Sequence, residues 1–188
     1  MWNAAFALCC ALGAGLMAVP AAAEAQEGRV FRIGSLSPAG NPALEAVFLE
    51  ALQRLGYVEG RNLVLERRYA DNQLDRLPGL AAELVRLKSD IVVATGTVAP
   101  LAMRNATTTI PIVIWSAGDP VGSGIVSSLG RPGGNITGLT IDSPELAGKR
   151  LQLLKEIVPR LARVAVLWNA ANPYAAFVLE ETRQAARL

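Results

Sequence analysis

The sequence predicts an α/β fold: a doubly wound parallel sheet, followed by the start of a second α/β unit. Three observations predict it. From Arg29 onward, short apolar runs alternate with amphipathic stretches of helical period, the pattern that parallel strand–helix–strand units produce. One run, Ile91–Ala94, is apolar at every position, as suits a strand covered on both faces. Four stretches open on the same kind of dipeptide, Asn41-Pro42, Asp119-Pro120, Ser143-Pro144 and Asn172-Pro173. Each joins a side chain that caps a helix to a proline whose fixed φ suits the first helical turn.

Taken in order, Val30–Gly34 reads as the first strand, and Ser35-Leu36-Ser37-Pro38-Ala39-Gly40 as a polar loop after it. Asn41-Pro42 opens a helix whose Leu44, Val47, Phe48, Ala51, Leu52 and Leu55 recur every three or four residues, one stripe facing a sheet. Gly56 ends it. Leu63–Tyr69 is a second strand, and its Glu66-Arg67-Arg68 argues for an edge position, where charge discourages unwanted pairing. A helix from Leu74 to Leu87 turns Leu77, Ala81, Leu84 and Val85 inward and accepts Pro78 in its first turn. Ile91–Ala94 is followed by Thr95-Gly96-Thr97 and a short helix through Met103. Ile112–Trp115 is the fourth strand. Ser116-Ala117-Gly118 then forms a loop, Asp119 opens a short helix, and Arg131-Pro132-Gly133-Gly134 turns the chain into a fifth strand at Ile136–Thr140. After Leu139 the pattern restarts. It gives a helix with Leu151, Leu154, Ile157 and Val158 inward, a buried strand at Val164–Trp168, and a helix from Asn172-Pro173 still running at Leu188. One strand and two helices are too few to bury a core of their own.

The first residues belong to none of this. Residues 4–19 carry no charge, Pro20 breaks the run, and Ala21-Ala22-Ala23-Glu24-Ala25 offers small-residue cleavage sites, which together read as a secretory signal peptide over 1–25. Met1-Trp2-Asn3 lacks the usual basic residue, and the rival reading is a retained membrane anchor. Cleavage after Ala25 removes both cysteines, Cys9 and Cys10, leaving neither a disulfide nor a thiolate metal site. The organisation is then a leader at 1–25, a first α/β lobe at 26–138 and an incomplete second lobe at 139–188. The whole chain of 188 residues has a formal charge of +2, and its basic residues are scattered rather than striped, so no nucleic-acid partner is expected.

In open parallel sheets, ligands bind beyond the carboxyl ends of the strands, at the point where the strand order reverses. The candidate ligand-binding residues are therefore Ser35 and Ser37 after the first strand, and Thr95, Gly96 and Thr97 after the third. Ser116 and Asp119 follow the fourth, and Asn169 follows the strand of the second lobe. Small hydroxyls and free N–H groups at helix starts suit a carboxylate or another polar group. The same residue types also cap helices and close turns. Both readings stand for Ser37, Thr97 and Ser116, while Asp119 reads first as a cap. Trp115 and Trp168 read as core residues or stacking platforms. Glu45, Glu50, Glu180 and Glu181 read as solvated surface.

No histidine is present, which excludes Ser-His-Asp and Cys-His catalysis and His-containing zinc sites. There is no phosphate-binding Gly-x-x-x-x-Gly-Lys loop, and Gly122-Ser123-Gly124 is in the wrong place for a dinucleotide fingerprint. No catalytic residue, cofactor or metal centre is expected.

Gly118-Asp119-Pro120-Val121, followed by Arg131-Pro132-Gly133-Gly134-Asn135-Ile136-Thr137-Gly138, resembles the signature of the bacterial ABC-transporter substrate-binding proteins that include the tryptophan/tyrosine-type periplasmic binding proteins. The resemblance implies a type I-like periplasmic-binding-protein fold, with two lobes closing on a small polar ligand, an amino acid among the candidates. It also implies a periplasmic location, an ABC permease in the inner membrane as partner, and a hinge crossing at Gly138 and Leu139. With the leader retained, the same fold would serve as the ligand-sensing domain of a receptor.

Overall fold

The computed structural model describes residues 29–142 and 144–187. Five strands, β1 (Phe31–Ser37), β2 (Leu63–Tyr69), β3 (Ile91–Thr95), β4 (Ile112–Gly118) and β5 (Ile136–Asp142), form one sheet in the order β2-β1-β3-β4-β5. Every pair is parallel. The connecting helices are α1 (Pro42–Arg54), α2 (Leu77–Arg86, entered through a 3-10 turn at Leu74–Arg76) and α3 (Val98–Ala106). Two more follow the sheet, α4 (Leu146–Ile157) and α5 (Pro173–Ala185).

The sheet is wound on both faces. Phe48, Leu49 and Leu52 of α1 pack on Ile33, Leu63, Leu65 and Val93. On the opposite face, Leu77, Ala81 and Leu84 of α2 and Met103 of α3 pack on Leu36, Val92, Ala94, Ile112 and Ile114. The period of two along each strand sorts these residues, so that Ile33 and Leu36 serve different cores. Gly34 lets Leu84 of α2 close onto the sheet. A β-carbon there would lie 3.0 Å from Val92 Cγ2 and 3.1 Å from Leu84 Cδ2.

Local signals place several elements where the sequence predicts them. The Asn41 side chain caps α1 by accepting the Leu44 N–H at 3.1 Å, and Asn172 caps α5 by accepting from Tyr174 at 3.1 Å. β2 runs from Leu63 to Tyr69 at an edge of the sheet, as expected. Leu77, Ala81 and Leu84 are buried as the helical period requires, and Val85 packs beside them. Arg131–Asn135 closes a turn through two left-handed glycines, Gly133 at φ +76° and Gly134 at φ +63°. Asn135 then ties the start of β5 to β4 by donating to the Ile110 carbonyl at 2.6 Å.

Elsewhere the structure corrects the expectations. β1, β3, β4 and β5 all run further toward their carboxyl ends than predicted, so Ser35, Ser37 and Ser116 lie within strands. Asp119 opens no helix. Residues 119–127 form successive turns, with Asp119 at φ +38° and its carboxylate accepting the Gly122 N–H at 2.8 Å. Glycines at 122 and 124 make a helix there costly. Val164–Trp168 forms no strand, because the sheet offers it no partner: Val164, Val166 and Trp168 are exposed and Leu167 fully so. Leu154, Ile157 and Val158 face solvent rather than inward, since α4 packs chiefly on α5, Gly148 against Ala185. In α1 only part of the predicted stripe is covered; Val47, Ala51 and Leu55 are exposed. The proposed leader, with Cys9 and Cys10, lies outside the described residues, as do Ser143 and Leu188. Among the described residues no helix is long and apolar enough to cross a membrane.

Candidate functional site

The order β2-β1-β3-β4-β5 reverses between β1 and β3, because the first crossover runs to one side of β1 and the next returns to the other. Loops at the carboxyl ends of β1 and β3 diverge there, which opens a crevice. The crevice is real: a cleft of about 50 Å³ lies between the first turns of α1 and the carboxyl halves of β1–β4.

Its character follows from the strand alternation. On the α1 face, β1 presents Phe31, Ile33, Ser35 and Ser37 in turn, β2 presents Leu63, Leu65, Arg67 and Tyr69, and β3 presents Ile91, Val93 and Thr95. Each strand is apolar where α1 packs and polar beyond it. The apolar wall is completed by Leu44, Phe48 and Trp115. Phe48 and Trp115 meet edge to face at 5.0 Å between ring centres. Trp115 is thus both a packing residue and a wall of the cleft.

Glu45 and Tyr69 face each other across it. The Tyr69 hydroxyl donates to Glu45 Oε2, and Arg67 Nε donates to Glu45 Oε1 at 2.6 Å. Arg67 also grips Glu59, at 2.7 and 2.9 Å. The hydrogen bond from Tyr69, helped by Arg67 against the opposing effect of burial, holds the Glu45 carboxyl below its ordinary range. Burial, and then the hydrogen bond to Glu45, pushes the Tyr69 hydroxyl up to about 12. Glu59 is lowered by its hydrogen bonds from Arg67, and Arg67 is raised, Glu59 being the first cause. Glu45 is therefore a half-buried member of a charged network and not the solvated surface residue expected from its place on a helix.

The candidate residues fall into three groups. Ser35, Ser37 and Thr95 line the cleft with Asn41. Ser37 is buried and donates to the Ala39 carbonyl at 2.7 Å, closing the turn into α1. Gly96, Thr97, Ser116 and Asp119 form a second cluster at the ends of β3 and β4. The Gly96 N–H donates to the Ser116 carbonyl at 2.7 Å, and the buried Thr97 hydroxyl lies 3.5 Å from the Gly118 carbonyl. The ring of Tyr174, from the first turn of α5, covers Gly118 in this cluster. Asn169 stands apart, exposed in the turn before α5, where it accepts the Ala171 N–H at 3.0 Å. Gly138 and Leu139 lie inside β5. Gly138 has φ +147°, and a β-carbon there would meet the Ile114 carbonyl oxygen at 2.2 Å. Glu45, Arg67, Tyr69 and Tyr174 were not among the expected residues. For Arg67 and Tyr69 a signal existed: they continue the face that Leu63 and Leu65 begin.

The cleft offers hydroxyls, the Asn41 amide, the Glu45 carboxylate and aromatic walls, a set equipped to hold a small polar molecule.

Residues 37–187 match the family described as ABC transporter substrate binding protein. The chain is 34% identical over 129 residues to a tyrosine-binding protein of Clostridioides difficile strain R20291, an alignment covering 66% of this chain and 36% of that protein. It resembles the crystal structure of a conserved domain protein from Vibrio cholerae, with a TM-score of 0.76 and 31% identity, over 85% of this chain and 54% of that one. It also resembles an ABC domain from Streptococcus pneumonia solved in complex with L-Trp, with a TM-score of 0.73 and 24% identity, over 84% of this chain and 54% of that one. The chain spans between about a third and about half of the length of these relatives. The fold is of the type I periplasmic-binding-protein kind, and the family is one of substrate-binding proteins, not enzymes. This chain belongs to the ABC transporter substrate-binding protein family.

Proposed function

We propose that the chain acts in the extracytoplasmic solute-binding component of an ABC importer and takes a small polar ligand, an amino acid, at the cleft between α1 and the carboxyl ends of β1–β4. The observation that carries this reading is the change along the shared strand face, from Ile33, Leu65 and Val93 to Ser35, Ser37, Tyr69 and Thr95, at the reversal of strand order. Relatives named for tyrosine and solved with L-Trp support an amino acid with an aromatic side chain. The walls of Phe48 and Trp115 suit such a ring.

A cleft of about 50 Å³ is well below the roughly 300 Å³ or more of a complete ligand pocket. It fits one half of a clamp. Residues 26–138 supply the first lobe and 139–188 begin the second, which closes by a hinge at the Gly138–Leu139 crossing. Ser35, Ser37 and Thr95 hold the polar end of the ligand. Gly96, Thr97, Ser116 and Asp119 form the adjoining rim, and Asn169 approaches from the second lobe. Residues 1–25 direct export to the periplasm and are then removed, and the closed form presents itself to the membrane permease.

The test is a titration of isotope-labelled protein with L-tyrosine, L-tryptophan and L-leucine, followed by NMR, which detects binding even at millimolar strength. The expected result is selective shifts at Ser35, Ser37, Tyr69, Thr95 and the Trp115 indole. Absence of shifts there with any of the common amino acids overturns the reading.

A further inference from the structure

Among the described residues, Glu45 is the one formally charged residue lining the cleft. Its carboxylate is not used up by its partners. Oε1 accepts from Arg67 and Oε2 from Tyr69, but each carboxylate oxygen offers about two acceptor sites. Arg67 does not neutralise it either, because it is shared with Glu59 through two further bonds at 2.7 and 2.9 Å. Two carboxylates and one guanidinium leave the group negative. The positive end of α1 is already answered by the Asn41 cap and by Glu45 itself in the first turn.

The hydroxyls around it point the same way. A hydroxyl whose proton is committed can only accept. Ser37 gives its proton to the Ala39 carbonyl at 2.7 Å, and Tyr69 gives its proton to Glu45. Around Glu45 the cleft thus presents a carboxylate and two acceptor-only hydroxyl oxygens, beside the aromatic rings of Phe48 and Trp115, while the Ser35 and Thr95 hydroxyls and the Asn41 amide can donate as well as accept. The complement of the Glu45, Ser37 and Tyr69 end of the cleft is a group with several donors and a positive charge. A primary ammonium has three N–H donors and nothing else, and aromatic walls tolerate it.

We propose that this lobe recognises the ammonium end of its ligand, with Glu45 as the specificity-determining acceptor and Arg67 and Tyr69 as the residues that position it. This rests on the binding reading above and goes one step further, since it assigns which end of the molecule enters this cleft. The carboxylate of an amino acid is then held elsewhere.

The experiment uses three probe pairs on the full chain: L-tyrosine and L-tryptophan, their amines tyramine and tryptamine, and the deaminated acids 3-(4-hydroxyphenyl)propionate and 3-indolepropionate. The expected outcome is that the amines still perturb Ser37, Glu45 and Tyr69, while the deaminated acids do not. Glu45→Gln keeps an acceptor for Tyr69 and loses the charge. It should weaken the amines by about tenfold or more while leaving the deaminated acids unaffected. Deaminated acids binding in the cleft as well as the amino acids, or Glu45→Gln binding amines unchanged, overturns the assignment and leaves the binding reading intact. No cleft binding by any probe overturns both.

Discussion

The ring of Tyr174 lies against Gly118, with three of its carbons within 2.4 to 2.6 Å of where a β-carbon of residue 118 would stand. Only glycine leaves room for that ring at the end of β4. Gly118→Ala must push the start of α5 away or distort β4, at a cost of about 1–3 kcal/mol. Urea denaturation should show the loss, and amide exchange should show it concentrated at the first turn of α5.

Gly34 makes the same kind of prediction in the core beneath α2. Its missing side chain admits Leu84 and Val92, both fully buried. Gly34→Ala should lower stability by about 1–3 kcal/mol, and Leu84→Ala, which opens a cavity, by about 2–5 kcal/mol. The two residues touch, so the double variant should fall short of the sum. A double-mutant cycle measured by denaturant titration checks this.

Acid should weaken the fold through Glu45, Glu59 and Asp90. Tyr69 holds Glu45 low, Arg67 holds Glu59 low, and the Arg32 N–H at 2.8 Å holds Asp90 low. A carboxyl whose folded pKa is depressed stabilises the fold above its unfolded value, about 4. That contribution is lost as pH falls through the lowered value. Stability should drop below about pH 4, less steeply in Glu45→Gln.

Tyr69 has the opposite sign. Its folded value of about 12 lies above the ordinary 10.0, so its contribution is whole below pH 10 and fades as pH rises toward 12. Ultraviolet titration of tyrosinate should show a late component that shrinks in Tyr69→Phe.

Glu59→Gln leaves Arg67 to pair with Glu45 alone. The charge at the cleft then falls to zero, and amines should bind several-fold more weakly although the substitution touches no lining residue. Calorimetric or NMR titration with tyramine reads this directly.

What could be read from the sequence was whatever neighbouring residues decide. Leu63–Tyr69 is a strand by its composition, and Asn41 and Asn172 start helices because the cap lies within three residues of its donor. The failures are non-local. Val164–Trp168 has every local property of a strand but lacks a neighbour to pair with. Ser35 and Ser37 read as loop residues because polarity commonly marks the end of a strand. In the structure the strands continue, and polarity marks the change from core to cleft. Glu45 looked like helix surface because its partners, Arg67 and Tyr69, come 22 and 24 residues later. At Asp119 the Asp-Pro pair favours a helix start, and the glycines at 122 and 124 outweigh it.

The division of each strand into an apolar and a polar half has an evolutionary reading. The packed positions, such as Ile33, Leu63 and Ile91, and the polar cleft positions, such as Ser35, Tyr69 and Thr95, follow one another along the same strand faces, with Leu65 and Val93 at the boundary belonging to both. Exchanging a hydroxyl for an amide at the far half leaves the packed half untouched. On the binding reading proposed above, a lineage built on this scaffold can change its ligand without first having to become more stable.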